Sequence, residues 1–132
     1  MFYEANVSAV KTHYTLQARD DFIHVELETG FQISLASMQA LWAAVRPLCE
    51  QRQTRRVLVE GEYPTRKMRL IDAHDHGKLI AALKPHVMRI AFCLYQYQPD
   101  ELSKLFTLTA NRRDRVVRFF VDLDDAFKWL QG

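Results

Sequence analysis

The run Asp72-Ala73-His74-Asp75-His76 holds the densest set of side chains in the chain that could do chemistry. On a helix, Asp72 and His76 lie four residues apart on one face, which is the spacing of paired metal ligands. His74 lies on the opposite face with Leu70, Gly77 and Ala81, which should pack on a sheet. The remaining histidines are isolated along the chain: His13, His24 and His86. We therefore predict no metal site, but a surface Asp/His pair at a helix start and one buried, hydrogen-bonded histidine.

No catalytic nucleophile is evident in the sequence. With only four glycines, the chain has no Gly-x-Ser-x-Gly elbow, phosphate loop or Gly-x-Gly-x-x-Gly motif. Cys93 lies in an apolar stretch, where its thiolate would be disfavoured. Glu60 and Glu62 beside Asp72 could act as an acid/base pair, but acidic residues are common at strand ends. We predict no catalytic residues and no cofactor, and an unrecognised enzyme is the least favoured alternative.

Composition limits the remaining possibilities. The 132 residues suffice for one domain spanning 1–132, with 48% hydrophobic and 26% charged residues. A net charge of +2 argues against bulk nucleic-acid or membrane-surface binding. No apolar run approaches the roughly 20 residues of a membrane helix, and no signal peptide is evident at Met1. We expect a cytoplasmic protein without membrane insertion, with Cys49 and Cys93 as buried thiols.

Charged residues are predicted to divide between the two ends of the sheet. Seven cations fall where helices end and strands begin: Arg55, Arg56, Lys84, Arg89, Arg112, Arg113 and Arg115. Seven carboxylates fall where strands end and helices begin: Glu60, Glu62, Asp100, Glu101, Asp122, Asp124 and Asp125. Helix dipoles favour this arrangement, so the basic rim alone does not indicate nucleic-acid binding, and we predict none.

The Glu60–Arg69 loop is the exception, because it brings cations and a tyrosine into the acidic rim. Ligands of open α/β sheets bind beyond the carboxyl ends of the strands, where this loop is placed. We predict that it docks a protein partner or a small amphipathic ligand, although an exposed, solvated connection explains the loop equally well. The candidate binding residues are Tyr63, Thr65, Arg66, Arg69, Asp72, Tyr95 and Tyr97.

The elements that would position these residues start with a hairpin. Apolar residues alternate over 14–18 and again over 23–27, on either side of the Arg19-Asp20-Asp21 turn. One polar and one apolar face predict an antiparallel hairpin near a sheet edge. That edge would also suit a homodimer.

Helices and buried strands then alternate. An apolar stripe from Met38 to Cys49 predicts a helix capped by Ser34 or Ser37 and kinked or split at Pro47. The later elements are strand 57–59, helix 69–84, strand 90–94, a helix opening at Pro99, strand 116–121, and a helix capped by Asp122. Strands that are apolar on both faces predict parallel βα units. The fold class is therefore α/β, with a mixed, mostly parallel sheet and the order ββαβαβαβα.

Three segments carry a resemblance to a known family. They are the closing segment 116–130 with Asp122, Ala126 and Trp129-Leu130, the preceding Ala110-Asn111-Arg112, and Arg69-Leu70-Ile71-Asp72-Ala73. With the element order, they resemble the SpoIIAA-like group of the STAS (sulfate transporter and anti-sigma-factor antagonist) superfamily, and in particular the small bacterial STAS/SEC14-like proteins. The resemblance implies a SpoIIAA-like fold and a regulatory or protein-interaction module without catalysis.

One departure from that family concerns its phosphorylation switch. In anti-sigma-factor antagonists a serine follows an aspartate at a helix start, whereas here Asp72 is followed by Ala73. A phospho-switch at this position is therefore excluded. The SEC14-like resemblance also implies an alternative function, a carrier of a small apolar or lipid-like ligand. A carrier needs a cavity, which five bulky side chains could instead fill: Phe92, Phe106, Phe119, Phe120 and Phe127.

Overall fold

A computed structural model describes residues 11–62, 64–84 and 86–132. The strands are β1 (Tyr14–Ala18), β2 (Ile23–Leu27), β3 (Gln32–Ile33), β4 (Arg56–Glu62), β5 (Thr65–Arg66), β6 (Arg89–Tyr95) and β7 (Val117–Phe120). The helices are α1 (Leu35–Arg52), α2 (Leu70–Ala81), α3 (Glu101–Ala110) and α4 (Leu123–Gln131). No helix in these three ranges is long and apolar enough to cross a bilayer.

Five of the strands form one sheet in the order β1-β2-β4-β6-β7. β1 pairs antiparallel with β2, and all other neighbours in this sheet are parallel. The predicted α/β class, the N-terminal hairpin and the mostly parallel sheet are therefore confirmed. The short strands β3 and β5 form a separate parallel pair that the sequence pattern did not predict.

The central strands are buried on both faces because helices cover both sides of the sheet. On one face, Val57, Val59 and Phe92 belong to a core that also contains the buried side chains of α1, α2 and α3. On the other face, Leu58 and Ala91 pack with the buried residues of α4. Near-continuous apolar runs in β4 and β6 follow from this two-sided burial.

Local hydrogen bonds determine where the helices start, and the expected split at Pro47 and the expected helix start at Pro99 are wrong. Ser34 caps α1 as predicted, but the helix runs uninterrupted across Pro47. Buried residues on both sides of that proline, Val45 and Cys49, hold the two halves on one core. α3 begins after Asp100 rather than at Pro99, because the Asp100 carboxylate accepts the Ser103 backbone N–H at 2.9 Å.

Gly77 and Asn111 determine how α3 packs against α2 and how its end contacts β7. At Gly77 of α2, an added Cβ would lie 2.6 Å from the Thr109 Cβ, so glycine lets α2 and α3 approach closely. Asn111, after α3, pairs with the outer edge of β7. Its amide Nδ2 donates to the Val117 carbonyl at 2.9 Å, and its Oδ1 accepts the Val116 and Val117 N–H groups at 2.8 Å. The Asn111 side chain therefore forms hydrogen bonds that another strand would otherwise form at this edge of the sheet.

Candidate functional site

The segment after β4 is held against the body of the protein. Its Thr65 N–H donates to the Phe31 carbonyl at 3.1 Å, and its Lys67 N–H donates to the Ile33 carbonyl at 2.8 Å. Pro64 is buried, and Met68 packs against the main core. Residues 64–69 are therefore a fixed strap across the carboxyl ends of the strands, which argues against the solvated-loop alternative.

A bidentate ion pair ties this strap to α3. Arg66 Nη1 donates to Asp100 Oδ1 at 3.0 Å, and Arg66 Nη2 donates to Asp100 Oδ2. The same carboxylate caps α3, so one side chain serves both contacts. The hydrogen bond from Arg66, supported by the Ser103 backbone, holds the pKa of Asp100 well below its usual range.

Arg69 and Asp72 form a second pair at the start of α2. Arg69 Nε and Nη2 donate to the Asp72 carboxylate at 3.2 Å, and the Arg69 backbone N–H donates to the same group at 3.0 Å. The Arg69 hydrogen bonds lower the pKa of Asp72. The Arg69 side chain nevertheless remains 79% exposed, so it is available to a partner.

The expectation that Leu70 packs on the sheet is wrong, and sequence reasoning gave its neighbour Ile71 no role. Leu70 and Ile71 are large hydrophobic side chains that are about half exposed (50% and 51%) in the first turn of α2. They continue from the exposed Lys67 and Arg69, and these four residues are hereafter the α2 patch. Both residues fall outside the buried stripe of Ala73, His76, Gly77 and Ile80, and that stripe depends on how α2 packs rather than on a pattern in the sequence.

The predicted tyrosines do not form one surface. Tyr97 packs on the face of α3, where its hydroxyl donates to Ser103 Oγ at 3.0 Å and its ring stacks 4.6 Å from Phe119. Tyr95 lies on the α4 face and donates to Glu60 Oε2 at 2.6 Å. Tyr63 lies outside the described residues, and Thr65 is exposed on the strap. Arg66 and Tyr97 line one cavity, whereas Tyr95 is separated from it by the sheet.

That cavity lies under the strap and measures about 50 Å³. Its walls are almost entirely apolar, with Met38, Met68, Phe92 and Phe106 among them. A pocket for a drug-sized ligand is about 300–1,000 Å³, so the aromatic side chains leave only a small void here.

The buried histidine of α2 is His76, and the expectation for His74 is wrong. His76 Nε2 accepts the Trp42 Nε1 proton at 3.1 Å, and its ring stacks on Phe106 at 4.4 Å. Burial lowers the pKa of His76 to about 3. His74 is partly exposed on the flank of the helix. Asp72 and His76 therefore do not form a surface pair, and the described residues contain no group of His, Cys, Asp and Glu suited to a metal.

A second polar cluster lies on the α4 face. Glu60 Oε1 is 2.7 Å from His24 Nε2, while its other oxygen accepts the Tyr95 proton and raises the pKa of that phenol. Cys93 is fully buried beside it, and burial raises the pKa of its thiol. Without an accessible thiolate, this cluster supplies no nucleophile.

Comparisons with known proteins add no family assignment. No family model matches the chain, and no curated protein or solved structure shows a significant match.

Proposed function

We propose that this chain is a non-catalytic regulatory or protein-interaction module. Its docking surface is the strap, residues 64–69 of the predicted Glu60–Arg69 loop, extended by Leu70 and Ile71 at the carboxyl ends of the strands. The observation that carries the proposal is the exposure of these two large hydrophobic side chains beside Lys67 and Arg69. Exposed apolar side chains rimmed by charges are typical of protein contact surfaces.

The fixed strap supports binding in a second way. The Arg66–Asp100 pair and the β3–β5 pairing hold the strap in one conformation before a partner arrives. A partner would then not have to order this segment, which reduces the entropic cost of association. The exposed cations favour a partner surface that combines carboxylates with an apolar side chain.

The family proposal rests on the arrangement of the sheet and the helices. A mostly parallel five-stranded sheet with an N-terminal hairpin, three helices on one face and one on the other supports a SpoIIAA-like domain. We keep that assignment as a proposal, together with a cytoplasmic location. The lipid-like carrier is the second candidate, favoured only by the apolar cavity under the strap. It requires that the strap opens and enlarges this cavity several-fold.

Affinity capture with matched variants tests the docking surface. The patch variant Arg69→Ala/Ile71→Ser removes one exposed cation and one exposed hydrophobic side chain. The control Val121→Ser/Lys128→Ala removes the same two types at exposed positions near α4. Each immobilised protein is exposed to lysate, and every captured protein is then purified and titrated by calorimetry.

We expect one captured protein to bind wild type and control directly, and to bind the patch variant at least about tenfold more weakly. The proposed docking surface is wrong if every captured protein binds the patch variant as tightly as it binds wild type. It is also wrong if no captured protein binds purified wild type directly.

A further inference from the structure

An open groove of about 750 Å³ runs along the outer edge of β7, between α3 and α4. Exposed cations and partly exposed apolar side chains line it, and none of the described residues along it is a carboxylate. The residues that matter for this β7 groove are Lys104, Leu108, Arg115, Arg118, Phe119 and Trp129. Leu108 is 72% exposed although it lies on a helix that otherwise packs on the core.

Two of the three cations are not explained by a helix C-terminus. Lys104 lies in the first turn of α3, where the helix dipole disfavours a positive charge. Arg118 lies within β7, away from any helix end, and its guanidinium lies over the Phe120 ring at 5.3 Å. Within the described residues neither forms an ion pair, unlike Arg66 and Lys84. A local excess of positive charge therefore faces the groove.

The edge of β7 is occupied at one residue, and at another its backbone has no hydrogen-bond partner in the described part of the chain. Ile90 donates to the Val116 carbonyl, so the parallel ladder directs the backbone groups of Val117 and Phe119 away from β6. Asn111 already occupies both groups of Val117. No hydrogen bond from the described chain reaches the backbone of Phe119. A strand added from outside would thus pair at Phe119.

We propose that the β7 groove binds an extended, acidic segment of a partner protein. The segment pairs with the Phe119 backbone and places carboxylates against Lys104, Arg115 and Arg118. An apolar side chain of the segment covers Leu108. A strand rises about 3.3 Å per residue, so a segment of about four residues spans β7. This site is separate from the α2 patch and does not depend on the function proposed above.

Fluorescence anisotropy with a synthetic probe tests the proposal. The probe is a labelled peptide with blocked termini and a repeating Glu-Glu-Val-Val pattern, which in an extended strand presents a carboxylate and an apolar side chain on each face. It is compared with its Lys/Val counterpart and with a single-stranded oligothymidylate of equal charge. The groove variant is Lys104→Glu/Arg118→Glu. The matched control, Lys78→Glu/Arg112→Glu, reverses two exposed cations of the neighbouring basic surface between α2 and α3. Circular dichroism confirms that each variant is folded.

We expect the Glu/Val peptide to bind wild type with an affinity that falls as salt is raised. The groove variant should lose at least about tenfold and Leu108→Ala a smaller factor, whereas the control and the patch variant should stay within about threefold. An equal loss in the control would reduce the effect to general electrostatics and overturn the proposal. Tighter binding of the oligothymidylate would also overturn it, in favour of a nucleic-acid site. Absence of peptide binding to wild type would overturn it as well.

Discussion

Trp42 of α1 and His76 of α2 are joined by a hydrogen bond inside the core, with the indole Nε1 3.1 Å from the imidazole Nε2. An indole N–H can only donate, so His76 Nε2 must accept and the neutral ring carries its proton on Nδ1. A protonated imidazole would have no lone pair for this bond. The pair therefore requires a neutral His76, in keeping with burial that lowers its pKa to about 3.

This requirement predicts an acid sensitivity of the fold. Because the pKa of His76 is lower in the folded protein than the ordinary value of 6.5, its contribution is complete above pH 6.5 and is lost as pH falls towards 3. We expect this residue to reduce the free energy of unfolding by up to about 1.4 kcal/mol per pH unit in that window. Urea unfolding between pH 7 and 4 measures the slope.

The control for this prediction is His76→Gln, which keeps an acceptor for Trp42 but does not titrate. The variant should be less stable than wild type at pH 7 and show a shallower decline as pH falls. Identical pH slopes for the two proteins would mean that His76 does not govern the acid response.

Gly77→Ala should destabilise the protein although alanine is the better helix former. In an open helix this change stabilises by up to about 1 kcal/mol. Here the new Cβ would lie 2.6 Å from the Thr109 Cβ and 3.0 Å from the Phe106 carbonyl oxygen. We expect a net loss of about 1–3 kcal/mol from overpacking, measured by urea unfolding. The double variant Gly77→Ala/Thr109→Gly should recover part of it, and a more stable Gly77→Ala protein would contradict the close packing of α2 and α3.

Much of this architecture could be predicted from the sequence because its signals are local. Uninterrupted apolar runs predict β4 and β6, alternation predicts the β1–β2 hairpin, and a serine cap, Ser34 or Ser37, indicates the start of α1. The pairing of β3 with β5 left no such signal, since a two-residue strand has no period and depends on its partner.

The orientation of α2 shows where the site prediction failed. The predicted inner face, with His74 and Gly77, is rotated by about 80° from the observed stripe at 100° per residue. That rotation buries His76 and leaves Leu70 and Ile71 exposed. It depends on the close contact of α2 with α3, which is a tertiary property. The individual cations of the site could be identified from the sequence, but the apolar half of the α2 patch could not.

Asn111→Ala should weaken the β7 edge. The change removes the amide that satisfies the N–H and the carbonyl of Val117, whereas the Val116 N–H keeps its second bond to the Asp114 carbonyl at 3.0 Å. Leaving partly buried backbone groups without partners costs about 1–3 kcal/mol, so we expect a loss of that size in urea unfolding. Arg112→Ala at the exposed next position is the control and should change stability little. If both variants lose the same amount, Asn111 does not protect this edge.

Arg66→Ala should release the strap, while Arg69→Ala should not. Arg66 reaches across to Asp100 and ties residues 64–69 to α3, whereas Arg69 pairs with Asp72 within its own turn. Hydrogen exchange at the Thr65 and Lys67 amides, which bond to Phe31 and Ile33, measures strap opening directly.

We expect faster exchange at these two amides in Arg66→Ala and unchanged exchange in α1. The stability loss should stay near 1 kcal/mol, because the ion pair is partly exposed to solvent. The pKa of Asp100 should rise towards its ordinary value and remain below it, since the Ser103 N–H still bonds the carboxylate. The lowered pKa of Asp100 adds to the free energy of unfolding above the ordinary pKa, and this contribution is lost as pH falls below that value. In Arg66→Ala the contribution should be smaller. Equal amide exchange in the two arginine variants would show that the β3–β5 pairing alone holds the strap.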